Sequence, residues 1–164
     1  MQLIGNWERA LARLTGLEHR IRVVVGQELP LIGAEVVASI RDEMARVGPA
    51  LHPFTVEQKG SSAPLIDGPM ERALAFRVEP GLAVFVGLRG RWAYIGAVHE
   101  YGMTIGVTRA MRGYLHAQGL HLAADTEYIT IPQRPFIRPG LRAARPRARA
   151  RLKLAYRFAL GLPR

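Results

Sequence analysis

The chain has 164 residues, 49% hydrophobic and 22% charged, which is one domain's worth in the proportions of a folded protein, so a large multidomain enzyme and wholesale disorder are excluded. It contains no cysteine, which excludes disulfide frameworks, thiolate nucleophiles and Cys-ligated zinc together. The formal net charge of +10 is unevenly placed: residues 134–164 hold nine Arg and Lys153 without one acid, while the other 13 basic residues balance all 13 acidic ones.

Taken in chain order, Asn6 is a candidate N-cap for a short helix in which Trp7, Leu11 and Leu14 recur at helical spacing before Gly16. A second, stronger helix is expected from Pro30, with Ile32, Val36, Val37, Ile40, Met44 and Val47 forming an apolar stripe that ends at Gly48 and Pro49. Residues 51–69 are rich in Pro, Gly and Ser, lack either period and read as an extended surface connector. One helical turn is expected over 70–74, then a hairpin of strands 75–79 and 82–88 turning on Pro80-Gly81. Residues 91–101 predict a short buried helix, and 104–124 two short helical patterns around Gly113 and Gly119. A third β run over 128–131 stops at Pro132. Pro139 can open a final helix to about Leu160, which the interior Pro146 is expected to kink or delay.

This order predicts an α+β fold, a small antiparallel sheet packed by helices with a C-terminal basic helix. It is read as a single domain, 1–164. Within it, 1–29 is an N-terminal helical segment, 30–138 an α+β core with an insertion over 103–125, and 139–164 the Arg-rich helix. The apolar runs are interrupted long before the roughly 18–20 residues that cross a bilayer, and Glu8 and Arg9 interrupt any signal-peptide core. A cytoplasmic product without membrane contact is expected.

Catalytic patterns fail one by one. His99-Glu100 opens like a zinc-protease helix, but Met103 stands where the second imidazole belongs. His116 and His121 are five apart and read as polar surface residues. The 87–90 segment lacks the Lys-Ser/Thr ending of a phosphate loop, and no G-x-S-x-G elbow exists. No catalytic residue, metal site or cofactor is therefore expected.

Three segments carry a family resemblance. PLIDG (Pro64, Leu65, Ile66, Asp67, Gly68) is followed by YIGAVHEYG (Tyr94, His99, Glu100, Tyr101, Gly102) and then by IPQRPF (Ile131, Pro132, Arg134, Pro135, Phe136) ahead of the last helix. In order and spacing, over roughly residues 30–160, this resembles the virion-morphogenesis, tail-completion family of Mu-like phages and the related neck or tail-component family of long-tailed phages. The sequence departs from the family pattern where Pro69 follows Gly68 without the usual Thr, and where Gln133 replaces the usual Ala; the MRGYLHAQG insertion is similar to the longer Mu-like branch.

The resemblance implies a non-enzymatic subunit of the head-to-tail connection, present in the virion and in the host cytoplasm during assembly. It implies a homo-oligomeric ring, a hexamer, touching neck, connector or tail-tube proteins with phage DNA nearby. Under that reading Pro132, Pro135 and Pro139 fix a rigid path, Phe136 plugs into the body, and Arg134 either pairs with Glu100 or Asp67 or faces a neighbour. Trp92, Tyr94 and Tyr101 read as core or subunit-contact aromatics, with base stacking as the competing use. The basic helix, carrying Arg142, Arg145, Arg147, Arg149, Arg151, Lys153 and Arg157, supports the alternative function of a small DNA-binding protein.

Overall fold

In a computed structural model, residues 7–162 are described, apart from 52, 61, 63, 64, 66 and 67. Asn6, Pro64, Ile66 and Asp67 therefore lie outside the described residues, with the expectations placed on them. The order is α1 (Trp7–Arg46), α2 (Pro53–Lys59), α3 (Pro69–Ala73), β1 (Leu74–Glu79), β2 (Ala83–Leu88), α4 (Arg91–Tyr101), β3 (Met103–Gly106), α5 (Arg109–Ala117), β4 (Tyr128–Ile131) and α6 (Ile137–Ala159). The fold is α+β, with two separate two-stranded antiparallel sheets packed by helices and a C-terminal basic helix.

The two N-terminal helices expected on either side of Gly16 and Pro30 are one helix of 40 residues. An interior proline costs about 3 kcal/mol through its missing N–H and its clash with the preceding turn. That cost is outweighed because Val25 and Leu29 before Pro30, and Ile32, Val36, Val37, Ile40 and Met44 after it, are all buried on one face. Each is worth roughly 1.5–3 kcal/mol when withdrawn from water. Pro30 itself lies on the exposed side. Joining the segments also changes the membrane reading: residues 11–46 form a helix long and apolar enough to cross a bilayer by length and composition, with 44% of its most apolar window buried inside the fold.

The 51–69 segment is not simply an extended connector. It contains α2, and its Leu65 is 1% exposed, one of the most deeply buried side chains of the main core with Ile40, Met44 and Phe136. The first hairpin pairs Leu74 with Leu88 through Glu79 with Ala83. Its turn is closed by Gly81 and Leu82, both at positive φ. Phe76, Val86 and Leu88 face α1, and Phe76 packs against Gly33, where any side chain would collide with its ring.

Between α4 and the last helix the chain makes a second ribbon, in which β3 pairs with β4 from Met103↔Ile131 to Gly106↔Tyr128. Only one of the two helices expected over 104–124 forms. Thr108 caps α5 by accepting from the Met111 amide at 3.1 Å, and Gly119, at φ 84°, follows its end. The next carbonyls are held by Arg112 instead of by helical amides, at 3.3 Å for Leu122, 2.8 Å for Ala123 and 2.7 Å for Thr126.

The last helix begins at Ile137 with Pro139 in its first turn, so the exposed Pro146 does not delay it. It runs antiparallel to α1, since Gly140 meets Ile40 while Ala155 packs with Val25 and Leu29. Gly140, Ala144, Ala155 and Ala159 are its buried residues, and their small size permits close approach of the two backbones.

Candidate functional site

The site is the junction at which the proline-rich elbow 132–136 leaves β4, passes the end of α4 and starts α6. A helix start leaves its first amides without intrahelical partners. Phe136, the residue that opens α6, offers no side-chain cap. The partner comes instead from another helix. Glu100, 2% exposed, accepts from the Phe136 amide at 2.8 Å and the Ile137 amide at 2.9 Å through Oε2, and from the Arg138 amide at 3.1 Å and Arg138 Nε at 3.0 Å through Oε1. The positive end of the helix dipole converges on the same carboxylate. Burial pushes the Glu100 carboxyl up, but the three amides and the Arg138 guanidinium together outweigh it and hold the group below its ordinary value.

Further bonds lock the elbow to α4. The Arg134 amide donates to the His99 carbonyl at 2.6 Å, and Gln133 Nε2 donates to the Glu100 carbonyl at 3.0 Å. Gly102, at φ 72°, ends α4 so close to the elbow that a Cβ would stand 3.2 Å from the Gln133 nitrogen and the Ile131 oxygen. Phe136 is completely buried, as its role of plug requires.

The pairing expected between Arg134 and Glu100 does not form, because the Glu100 oxygens are occupied by α6. Arg134, 5% exposed, instead donates from Nε to the Pro49 carbonyl at 2.9 Å and from Nη2 to the Ala50 carbonyl at 3.2 Å. Two adjacent carbonyls suit the guanidinium fork, and burial lowers the pKa of the group. The elbow is thereby fastened to the segment that follows α1.

The three aromatics divide between the core and the surface. Trp92 is half-buried against the main core, with the Arg91 guanidinium 5.0 Å from its ring centroid. Tyr94 and Tyr101 are not core residues, being 65% and 66% exposed. Arg138 stacks 5.0 Å above Tyr101, so the cation that binds Glu100 also holds an aromatic ring on the surface. His116 and His121 do meet across the turn after α5, at a centroid distance of 4.3 Å edge to face, although five residues separate them. Among the described residues no group of three or more His, Asp or Glu side chains is arranged to hold a metal ion.

The basic helix splits into two populations. Arg147 pairs with Glu35 and donates to Ser39 Oγ at 2.7 Å, while Arg151 pairs with Glu28 at 2.9 Å and Glu35 at 3.6 Å. These cations zip α6 to α1. Glu28 and Glu35 were not singled out in the sequence, where a seven-residue interval of acids facing an Arg pair four apart is the signal. Arg142, Arg145, Arg149 and Lys153 are exposed and form no ion pair among the described residues. Their three- and four-residue intervals place them along the solvent side of α6 over about 16 Å. Arg157 is half-buried beside the exposed Phe158.

Comparison with family models, with curated proteins and with solved structures found no match to this chain.

Proposed function

We propose that this chain is a non-enzymatic structural subunit of the head-to-tail connection of a tailed phage, a tail-completion or neck protein that forms a ring, most simply a hexamer, and touches neck, connector or tail-tube proteins. The observation that carries the reading is the union of two motifs. The H-E-Y-G segment and the I-P-x-R-P-F segment, two of the three on which the family resemblance rests, meet through Glu100, Gln133, Arg134 and Gly102 in one hydrogen-bonded unit. Their chemistry is spent on fixing backbone geometry, as a protein needs when it must present a constant surface to its neighbours. The exposed Tyr94 and Tyr101 stand beside that unit, and aromatic and Arg side chains are what assembly interfaces favour. In this reading the chain works at the virion's head-tail junction and passes through the host cytoplasm during assembly. Labelling of Tyr101→Cys in assembled particles tests it: the reading expects the thiol to react in the free protein and to be shielded in the particle. Equal labelling in both would overturn it.

A second reading, a DNA-binding protein, is favoured by the row Arg142, Arg145, Arg149 and Lys153, exposed and without an ion pair among the described residues. Four phosphate contacts would give log affinity a slope of about −3.6 against log salt. A gel shift in about 50 mM salt that shows no retardation removes this reading, as does retardation unchanged when all four are replaced by Gln.

A further inference from the structure

The apolar stripe of α1 does not stop where its cover stops. On its inner face Val25, Leu29, Ile32 and Val36 are buried under α6 and the first hairpin. The same face continues toward the N-terminus at Ile21, Leu14, Leu11 and Trp7, each three, four or seven residues from the next. α6 ends at Ala159, four residues beyond the Ala155 that packs with Val25 and Leu29, so its cover reaches Ile21 and leaves Trp7, Leu11 and Leu14 bare. Trp7 is consequently 54% exposed, Leu11 61% and Leu14 62%. At the base of the arm, Val24, Leu154, Ala155, Phe158 and Leu162 line an open groove of about 350 Å³, with Phe158 65% exposed. The arm cannot fold back into this groove, because it is a continuation of the helix that forms one of the groove's walls.

We propose that two copies of this chain exchange their N-terminal arms, packing residues 7–21 antiparallel and face to face across a two-fold axis near Leu14. The direction fits. α6 runs antiparallel to α1, so a partner's arm lying antiparallel on this one takes the place α6 would fill if it were longer, and the buried seam simply continues. The length fits as well. An arm of 15 residues spans about 22 Å; with Leu14 opposite Leu14, the partner's Trp7 reaches the level of Ile21, beside Phe158 and Leu162 at the mouth of the groove. The arrangement is isologous, each copy giving one arm and receiving one. With roughly 100 Å² withdrawn from water per large apolar side chain, six per copy bury about 1,200 Å² in all, at the lower edge of stable interfaces. This inference rests on the helix geometry and is independent of the ring and of the phage reading.

Sedimentation equilibrium of the whole chain at micromolar concentration tests it, with a dimer expected. Leu11→Glu/Leu14→Glu is expected to raise the dissociation constant at least 100-fold without loss of helical circular dichroism. Single cysteines placed in turn at Leu11, Leu14 and Leu17, in a chain with none of its own, are expected to form disulfide dimers most readily at Leu14, since only a two-fold axis brings identical residues together. A monomer, or association undiminished in the double Glu variant, overturns the exchange. So does a ladder of multimers from Leu11→Cys/Phe158→Cys without single-cysteine dimers, which would mean head-to-tail packing. Binding of a monomer to phosphatidylglycerol–phosphatidylcholine vesicles, abolished in the double Glu variant, would assign the arm to lipid and overturn it too.

Discussion

Replacing Glu100 by Gln keeps the shape of the side chain and removes the charge that holds the start of α6. The carboxylate accepts three backbone amides and one guanidinium N–H. A Gln side chain has one acceptor oxygen, and its NH2 group must face at least one of those amides. One buried donor left without a partner costs about 1–3 kcal/mol, and losing the charge at a sheltered helix N-terminus costs up to about 2 kcal/mol more. The expected loss is therefore about 3 kcal/mol, or a melting temperature about 6–12 °C lower for a domain of this size. Arg138→Ala is the control. Its side chain is 53% exposed, so solvent screening limits its ion pair to about 1 kcal/mol or less. Urea denaturation of both variants measures the two losses. If Glu100→Gln costs no more than Arg138→Ala, the cross-helix cap is not what holds the elbow, and the reasoning fails.

Four more outcomes follow from the structure. Because the Glu100 pKa is held below that of an unfolded carboxylate, its stabilisation is complete above about pH 5 and is lost as pH falls through the folded value, so the stability gap between wild type and Glu100→Gln should be flat from pH 8 to about pH 5 and close below about pH 4. A gap that widens in acid would contradict that sign. Gly140→Ala should destabilise by about 2 kcal/mol in denaturant titration although Ala is the better helix former, because its Cβ would stand 2.7 Å from Ile40 Cα and 2.9 Å from Ile40 N. Gly113→Ala, in α5 with nothing within 4 Å, should instead be neutral or stabilising by up to about 1 kcal/mol. Arg134→Lys should cost about 1.5–3 kcal/mol, since one ammonium cannot reproduce the fork on the Pro49 and Ala50 carbonyls; unchanged stability would show that those carbonyls do not depend on it.

Where local pattern and tertiary context agreed, the chain could be read directly. The first hairpin and α6 fall close to their expected positions, because a Pro-Gly turn and a proline-led helix start are each encoded within a few residues; α4 has its expected span, but it is not the buried helix expected, since only Gly96 and Glu100 are buried in it. The continuity of α1 was not legible, since Gly16 and Pro30 argue locally for breaks; at Pro30 the opposing term is burial under α6, more than a hundred residues away. Strand β3 was hidden for a similar reason. Its four residues form a strand only beside β4, and 21 residues of excursion lie between the two. At the junction, the residues Glu100, Arg134 and Phe136 stood out in the sequence, but their connections did not. Charge left Arg134 a choice of Glu100, Asp67 or a neighbouring subunit; the structure instead gives the Glu100 carboxylate to the amides of a helix start and the Arg134 guanidinium to backbone carbonyls. Likewise the cationic helix read as a uniform block until Glu28 and Glu35 divided it into a structural edge and an exposed row.

The proposed role in joining heads to tails is tested most directly by electron microscopy of lysates of the cells that carry this reading frame, with the frame inactivated and with it restored. The account predicts DNA-filled heads and separate tails that fail to join, or tails of abnormal length, with normal particles returning on restoration. Normal, infectious tailed particles in the absence of the protein would contradict it.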